Sequence, residues 1–380
     1  MSVAEAGGAT GPDDGPYALP RPVATLVLLA LIALLFAGEI LVPVEPWRGL
    51  AEPSISTLVA WGGMSGTLVL ERGEWFRILT AALLHGGYLH IAFNSYALYI
   101  AGRLLEPLIG WPWLLALYVL GAAGGGIASI HLNAPNIVGI GASGAIMGLF
   151  GFILTISLRF PGEIRRMFIG NGLSVLLPSI LPAALPALTG GEGLTIDYAA
   201  HAGGAVAGAV LGLLMVGLWR RDARRPPLRP LALAITAAGV GIVLYGATVL
   251  IAQFPEHRFA GHLIPETTLK KLDLGNMAVV TGLIAQHPDD PRGYLARAQI
   301  LARQGQGAAA DAQAALALER AERFPRVFTD VYRVSVRAYR AGLQLDLGQR
   351  EAARATAAPI CTAEAPAAAL AALRTARLCP

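Results

Sequence analysis

The chain has 380 residues, of which 55% are hydrophobic and only 14% are charged, and its formal net charge is +4. Because a soluble domain typically carries about 25% charged residues, this composition excludes a wholly soluble protein and predicts that lipid is the solvent for much of the chain. The basic residues form no extended basic face, so we expect no nucleic-acid partner.

The N-terminal part contains one predicted membrane helix between two irregular segments. Residues 1–22 are rich in Gly, Pro and Asp and are typical of a disordered tail. Residues 23–44 are apolar except for Glu39, and this run is too long for a signal peptide, so we expect a retained first helix. Residues 45–88 place aromatic side chains beside arginines, as at Trp47 and Arg48, which favours a half-buried loop in the headgroup zone.

Six further apolar segments complete the predicted membrane domain. They cover residues 89–105, 113–130, 143–158, 171–188, 200–218 and 231–251. The predicted fold class is therefore all-α, a polytopic membrane helix bundle with a six-helix core in residues 23–218. A basic linker and a seventh transmembrane helix follow in residues 219–252, and residues 253–380 are predicted to form a soluble helical domain.

The basic residues predict the orientation of the bundle, because cytoplasmic loops are enriched in Lys and Arg. With a cytoplasmic N-terminus, the inner loops contain nine arginines, whereas the outer loops 131–142 and 187–199 contain no Lys or Arg. Seven spans then place residues 253–380 outside the cytoplasm. We expect a multi-pass protein of the cell (inner) membrane.

The C-terminal domain has the pattern of helical repeats and contains both cysteines of the chain. Two segments resemble tetratricopeptide-type helix pairs, with their small and apolar positions at Tyr294, Leu295, Ala298, Leu301, Gly305, Ala310, Ala314 and Ala317, and then at Tyr339, Leu343, Leu347, Gly348, Ala352 and Ala355. Such a domain suits a protein partner. Because an extracytoplasmic compartment is usually oxidising, a Cys361–Cys379 disulfide is predicted, the alternative being two unpaired thiols.

Ser143 is the first candidate for chemistry, since polar residues at membrane depth are rare and usually functional. It lies in a glycine-rich stretch, and the helix expected over residues 143–158 would be about 24 Å long, shorter than the ~30 Å hydrocarbon core. We therefore expect it to begin below the outer surface, beside a wet cavity. Free N–H groups at its start would suit an oxyanion. The alternative is that small residues here serve only close helix packing.

His201 is the second candidate. Ala200, Gly204, Gly208 and Gly212 recur every four residues and predict a stripe that lets another helix approach closely, with Gly144 and Gly148 as the facing surface. His201 would then lie against the start of the Ser143 helix, where a histidine activates a serine for acyl transfer. The alternative is a histidine that only bonds a neighbouring carbonyl.

His90 and Asn94 form the third candidate group. They are four residues apart and share one helix face, and both donate hydrogen bonds. Their joint role would be to stabilise the oxyanion of a tetrahedral intermediate, although Asn94 could instead bond a carbonyl of a neighbouring helix.

Together these motifs resemble the rhomboid family of intramembrane serine proteases over residues 23–218. The matching motifs are Glu74-Trp-Phe-Arg77, His85, His90-x-x-x-Asn94, Gly141-Ala-Ser143-Gly144 and Ala200-His201-x-x-Gly204. The resemblance implies a Ser143 nucleophile, His201 as general base and then acid, and an oxyanion hole formed by the Ser143 N–H, His90 and Asn94. It implies transmembrane protein substrates and no metal or cofactor.

One feature departs from the family pattern, and two extend the chain beyond it. Met147 stands where some relatives have an aromatic ring that stacks on the histidine, and the seventh span and helical tail lie beyond the common core. The fifth span should be kinked by its prolines, Pro178, Pro182 and Pro186. In the family this span is often proposed to be a lateral gate for the substrate, and the alternative is an irregular packed helix.

Other functions have their own sequence requirements. A catalytically silent rhomboid-like protein that binds membrane clients would be supported by loss of the serine or histidine, and both are present. A transporter would have paired charges in several spans or internal repeats, which the sequence lacks. In a third alternative the helical tail is the main function, as a partner-binding module with a membrane anchor.

Overall fold

A computed structural model describes residues 21–44, 52–180, 196–260, 263–323, 327–328, 330–361 and 367–379. Within these ranges the chain forms helices and no strand, and Met64 and Gly139 form an isolated bridge, so the all-α bundle predicted from the sequence is confirmed. The predicted disorder of residues 1–20, the pair Trp47 and Arg48, and Pro182 and Pro186 lie outside the described residues. Two compact units divide the chain between Leu250 and Ile251.

A helix lies at each of the seven predicted spans. The bounds are α1 Val23–Leu41, α4 Tyr88–Ile109, α5 Trp111–Leu132, α6 Ser143–Ile156, α7 Gly162–Ile180, α8 Tyr198–Leu218 and α9 Arg229–Ala260, with α2 Ile55–Trp61 and α3 Arg77–Thr80 between the first two. By length and composition, α1, α5, α8 and α9 are long and apolar enough to cross a membrane. Apolar side chains such as Leu34 and Phe93 are 71% exposed, as expected for surfaces that face lipid.

Helix α7 starts nine residues earlier than the predicted span. It begins at Gly162 and carries Glu163, Arg165 and Arg166 in its first two turns, whereas the sequence analysis placed these arginines in a loop. Charged residues are costly in hydrocarbon, so they mark the end of an apolar segment in the sequence. They do not end the helix itself when its first turns lie outside the hydrocarbon. Pro178 lies inside the described helix.

The start of α1 is fixed by α4. The Glu106 carboxylate accepts hydrogen bonds from the backbone N–H groups of Ala24 and Thr25, at 2.9 Å each, and from the Thr25 hydroxyl at 2.8 Å. These bonds satisfy donors that the first turn of a helix leaves unpaired. Glu106 thereby holds the two helices that precede the candidate site together.

The connection between α1 and α4 is ordered around a buried arginine. Arg77 is fully buried. Its Nε donates to the Glu74 carboxylate at 2.5 Å, and its Nη1 donates to the carbonyls of Val59 and Gly63 at 2.7 and 2.9 Å. A buried charge needs such partners to offset its desolvation. Trp75 next to it is 53% exposed, in keeping with a partly buried loop at the membrane surface.

Helix α6 is the centre of the membrane unit. Eleven of its fourteen residues are buried, among them Ile146, Leu149, Phe150 and Ile153. Its most extensive partner is α8, and α5 packs against both. Ser143, the first residue of α6, is therefore carried by the most enclosed helix of the bundle.

The second unit contains the helix pairs that the sequence pattern predicted. Its helices are α10 Glu266–Leu269, α11 Met277–Gln286, α12 Pro291–Arg303, α13 Gly307–Arg323, α14 Asp330–Asp346, α15 Arg350–Cys361 and α16 Ala367–Thr375. Ala298 of α12 packs with Ala310 and Ala314 of α13, all fully buried. A disulfide joins Cys361 and Cys379, whose Cα atoms are 5.4 Å apart, so the predicted bridge is confirmed.

Candidate active site

The loop before Ser143 is pinned by backbone hydrogen bonds. Gly139 and Met64 exchange two of them, at 2.8 and 3.1 Å, and the Gly141 N–H donates to the Ala81 carbonyl at 2.9 Å. Gly141 has φ +118°, a conformation that only glycine adopts without strain. The loop therefore enters α6 in one fixed geometry. The Ser143 N–H is one of the first N–H groups of this helix, which have no intrahelical partner.

Helices α6 and α8 touch at their backbones. A Cβ atom added to Gly204 would lie 1.9 Å from the Gly144 carbonyl oxygen, and one added to Gly208 would lie 1.8 Å from that of Gly148. The predicted small-residue stripe and its facing glycines are thus confirmed. A Cβ on Gly144 would be 3.8 Å from the Ala200 Cβ, so the two helices meet one residue away from Ser143 and His201.

His201 bonds a carbonyl of α7. Its Nδ1 lies 2.8 Å from the backbone oxygen of Ser179. A carbonyl oxygen only accepts, so Nδ1 carries the proton and Nε2 keeps a lone pair. Among the described residues no hydrogen bond joins Ser143 to His201. The bond from His201 to a neighbouring carbonyl, which was the alternative role for this residue, is therefore present. It occupies only Nδ1, so Nε2 can still act as a base.

The aromatic neighbour of His201 comes from an unexpected position. The Tyr198 ring lies edge-on to the imidazole, with the ring centroids 6.5 Å apart. Tyr198 is three residues earlier on the same helix, and this spacing places two side chains on one face. Met147 is buried in α6. The motifs predicted an aromatic only near the serine, and Tyr198 was not identified from them.

His90 and Asn94 meet the loop that leads to Ser143. A Cβ on Gly141 would lie 2.7 Å from His90 Nε2 and 3.6 Å from Asn94 Nδ2, so a side chain here would collide with the imidazole. The Gly86 N–H donates to His90 Nδ1 at 3.3 Å. Nδ1 is then the acceptor, and Nε2 carries the proton.

Asn94 has an unused donor beside the same loop. Its side chain is buried, and its Nδ2 has no hydrogen-bond partner in the part of the chain that the structure describes. A buried unpaired donor costs free energy, which is tolerated at a site that awaits an acceptor. The alternative, a bond from this amide nitrogen to a neighbouring helix, is absent from the described residues.

His85 and Glu39 support the turn beneath His90. The His85 ring is fully buried and lies edge-on to the His90 ring, with centroids 5.1 Å apart. The backbone N–H of His85 donates to Glu39 Oε2 at 3.4 Å. In the sequence Glu39 stands out only as an interruption of an apolar span, yet an ionisable residue in such a span usually has a local function.

Asp197 is a polar residue near the candidate site that the sequence motifs did not identify. It caps α8, where its Oδ1 accepts from the Ala200 N–H at 2.9 Å. The same carboxylate accepts from Ser129 in the last turn of α5 and from Asn133, the residue just after that helix, at 2.5 and 2.9 Å. An aspartate just before an apolar helix is a recognised sign of an N-cap, and this sign was available in the sequence.

Ser143 and Asp197 both line one small cavity. Its volume is about 20 Å³, and its lining includes Met64, Ile78, Gly141, Ser143 and Asp197. A cavity of this kind needs roughly 10–15 Å³ to hold one water molecule, so one water fits beside the serine. Among the described residues there is no group of three His, Cys, Asp or Glu side chains placed to hold a metal ion.

Comparison with known proteins identifies relatives of the membrane unit. The family model described as the Rhomboid domain matches residues 72–218. Rhomboid protease GluP of Bacillus subtilis is 31% identical over 233 residues, which cover 60% of this chain and 41% of that protein.

Two further relatives extend the comparison. The rhomboid-family protein YdcA of Bacillus subtilis is 31% identical over 51% of this chain and 89% of its own length. RHOMBOID-like protein 5 of Arabidopsis thaliana is 34% identical over 43% of this chain and 51% of its own length. The chain thus spans about half or less of GluP and of RHOMBOID-like protein 5, and most of YdcA.

Proposed function

Because the chain belongs to the rhomboid family, we propose that it is an intramembrane serine endopeptidase that cleaves transmembrane proteins with Ser143 and His201. The observation that carries this proposal is the opposite hydrogen-bonding state of the two histidines near Ser143. His90 has its proton on Nε2 because Nδ1 accepts from Gly86, and His201 has a lone pair on Nε2 because Nδ1 donates to Ser179. One histidine is thus suited to donate and the other to accept.

The proposed reaction begins with proton transfer. His201 Nε2 takes the proton of the Ser143 hydroxyl as the oxygen attacks the peptide carbonyl. The resulting oxyanion accepts hydrogen bonds from the Ser143 N–H, His90 Nε2 and Asn94 Nδ2. The protonated His201 then gives its proton to the leaving amine. A water molecule, activated by the same imidazole, hydrolyses the acyl-enzyme and frees Ser143.

The described residues support the roles of the donors. His90 and Asn94 lie against Gly141, two residues before Ser143, and the Asn94 amide nitrogen has no other partner in the described chain. Preorganised donors are effective because they need no reorganisation when charge develops. The contact between Gly144 and Ala200 supports a short path between Ser143 and His201.

The proposed setting is a multi-pass protein of the cell (inner) membrane with a cytoplasmic N-terminus. Residues 23–218 would be the protease core, 219–252 the basic linker and seventh span, and 253–380 an extracytoplasmic domain that binds a protein partner. The arginine distribution and the Cys361–Cys379 disulfide, which favours an oxidising compartment, support this topology. Pro178 in α7 supports a lateral gate at the fifth span.

Serine-directed labelling tests the proposal. A fluorophosphonate probe should label the wild type, and the Ser143→Ala and His201→Ala variants should each lose most labelling and most cleavage of a model transmembrane substrate. The double variant should be hardly worse than either, because the two groups act as a unit. Ser174→Ala and His131→Ala, at exposed positions, are matched controls. Near-normal cleavage by Ser143→Ala would refute the assignment, and client binding without labelling would favour the silent alternative.

A further inference from the structure

We propose that Asp197 is a positioning residue for the catalytic pair, whose carboxylate fastens the start of α8, and with it His201, to α5 and to the Ser143 loop. The inference rests on the proposed function, since the rate that Asp197 would influence is that of Ser143 and His201. Asp197 itself would touch no reacting atom.

The first connection is to the helix of the base. Asp197 Oδ1 accepts from Ala200 N–H at 2.9 Å, and the Asp197 carbonyl accepts from the His201 N–H at 3.1 Å. Side chain and backbone of one residue therefore define the first turn of α8. The direction in which His201 leaves the helix is set in that turn.

The second connection is to a neighbouring helix. The Ser129 hydroxyl donates to Asp197 Oδ2 at 2.5 Å, and Asn133 Nδ2 donates to Oδ1 at 2.9 Å and to Ser129 Oγ at 3.2 Å. A simple N-cap needs none of these bonds. Ser129 and Asn133 are 68 and 64 residues from Asp197 in sequence, so the network joins the end of α5 to the start of α8, two helices that are distant in sequence.

The third connection is to the nucleophile. A Cβ on Gly139, in the loop before Ser143, would lie 3.5 Å from Asp197 Oδ2. Asp197 and Ser143 also line the same small cavity. One carboxylate thus lies close both to the loop that precedes the nucleophile and to the helix that carries the base. Because misplacement of a reacting group by about 1 Å can cost roughly a hundred-fold in rate, loosening this junction should slow the chemistry.

Three variants separate the parts of the junction. Asp197→Ala removes all the side-chain bonds. Asp197→Asn keeps an acceptor for Ala200 and a polar group that Ser129 can pair with, and is the conservative rescue. Ser129→Ala combined with Asn133→Ala removes the bonds to α5 and leaves the cap intact. Ser54→Ala is the matched control, because Ser54 caps α2 by accepting from Thr57 N–H at 3.1 Å, remote from the site in sequence and outside the proposed machinery.

The measurements are the fluorophosphonate labelling rate of full-length protein in detergent, the kcat and KM for a transmembrane substrate, and the unfolding midpoint. We expect Asp197→Ala and the Ser129/Asn133 double variant to label at least about ten-fold more slowly, with lower kcat and unchanged KM. Asp197→Asn should retain roughly a third or more of the wild-type rate, and Ser54→Ala all of it.

The outcomes separate this inference from the proposed function. If the wild type is not labelled at Ser143, the proposed function fails. If the wild type is labelled and Asp197→Ala or the double variant matches it, the function stands and the positioning role is refuted. An Asp197→Asn variant as slow as Asp197→Ala would also refute it, because hydrogen-bonded positioning would then not explain the loss. Should Asp197→Ala not fold, the double variant and Asp197→Asn still decide.

Discussion

Replacing Gly208 by alanine should push α8 away from α6 and slow the proposed protease while the chain still inserts into the membrane. Gly208 lies two turns beyond His201 on α8, and its backbone packs directly on Gly148 of α6. A Cβ there would lie 1.8 Å from the Gly148 carbonyl oxygen and 2.5 Å from its carbon. These are backbone atoms, which cannot rotate away as the end of a side chain would.

The size of the effect follows from that distance. A carbon–oxygen contact is unstrained from about 3.3 Å, whereas the added Cβ would lie 1.8 Å from the Gly148 carbonyl oxygen. The methyl group would therefore be about 1.5 Å too close to that oxygen. Overpacking of this kind typically costs about 1–3 kcal/mol, occasionally more. If the helices separate by about 1 Å near the site, the rate should fall by roughly a hundred-fold.

Gly217→Ala is the matched control on the same helix. A Cβ at Gly217 meets nothing within 4 Å, and both substitutions replace a helical glycine by alanine, which favours the helix by up to about 1 kcal/mol in a helix interior. The difference between the two variants therefore isolates the clash. Unfolding midpoints in mild detergent and fluorophosphonate labelling rates should place Gly208→Ala below Gly217→Ala in both. Equal stability and equal labelling would show that α6 and α8 are not packed at these backbones.

Three further predictions concern the oxyanion hole, the base and the disulfide. Asn94→Ala should lower turnover by roughly a hundred-fold or more at unchanged protein level, and unchanged turnover would assign Asn94 to packing. Cleavage should rise with pH as His201 loses its proton, near pH ~6.5 for a free imidazole, because only the neutral ring accepts from serine; a flat profile with chemistry limiting would contradict this role. Cys361 and Cys379 should react with maleimide only after reduction, so full labelling in membranes kept under non-reducing conditions would exclude the bridge.

The features that the sequence determined depend on local pattern. Apolar runs of membrane length predicted helices at all seven positions, because a spanning segment must satisfy its backbone internally. The four-residue period of Ala200, Gly204, Gly208 and Gly212 predicted a close helix contact, since residues at this spacing share one face. His90 and Asn94 were paired by the same rule.

The bounds of α7 show where local pattern fails. Residues 162–170 do not form an apolar run in the sequence, because Glu163, Arg165 and Arg166 interrupt it. The helix nevertheless starts at Gly162, since helix formation needs backbone hydrogen bonds and not apolar side chains. Hydropathy locates the part of a helix that lies in lipid and is silent about the turns that extend into the headgroup zone.

Only the tertiary structure decided which hydrogen-bond partner each polar group at the site has. The partner of His201 Nδ1 is the backbone carbonyl of Ser179, and that of His90 Nδ1 is the backbone N–H of Gly86. Every residue has such groups, so no residue type marks them in a sequence. Asp197 could be recognised as a cap from its position, but its bonds to Ser129 and Asn133 depend on how α5 and α8 pack. Residue types and their spacing therefore determined which side chains gather at the site, whereas backbone partners set by packing decided which nitrogen donates and which accepts.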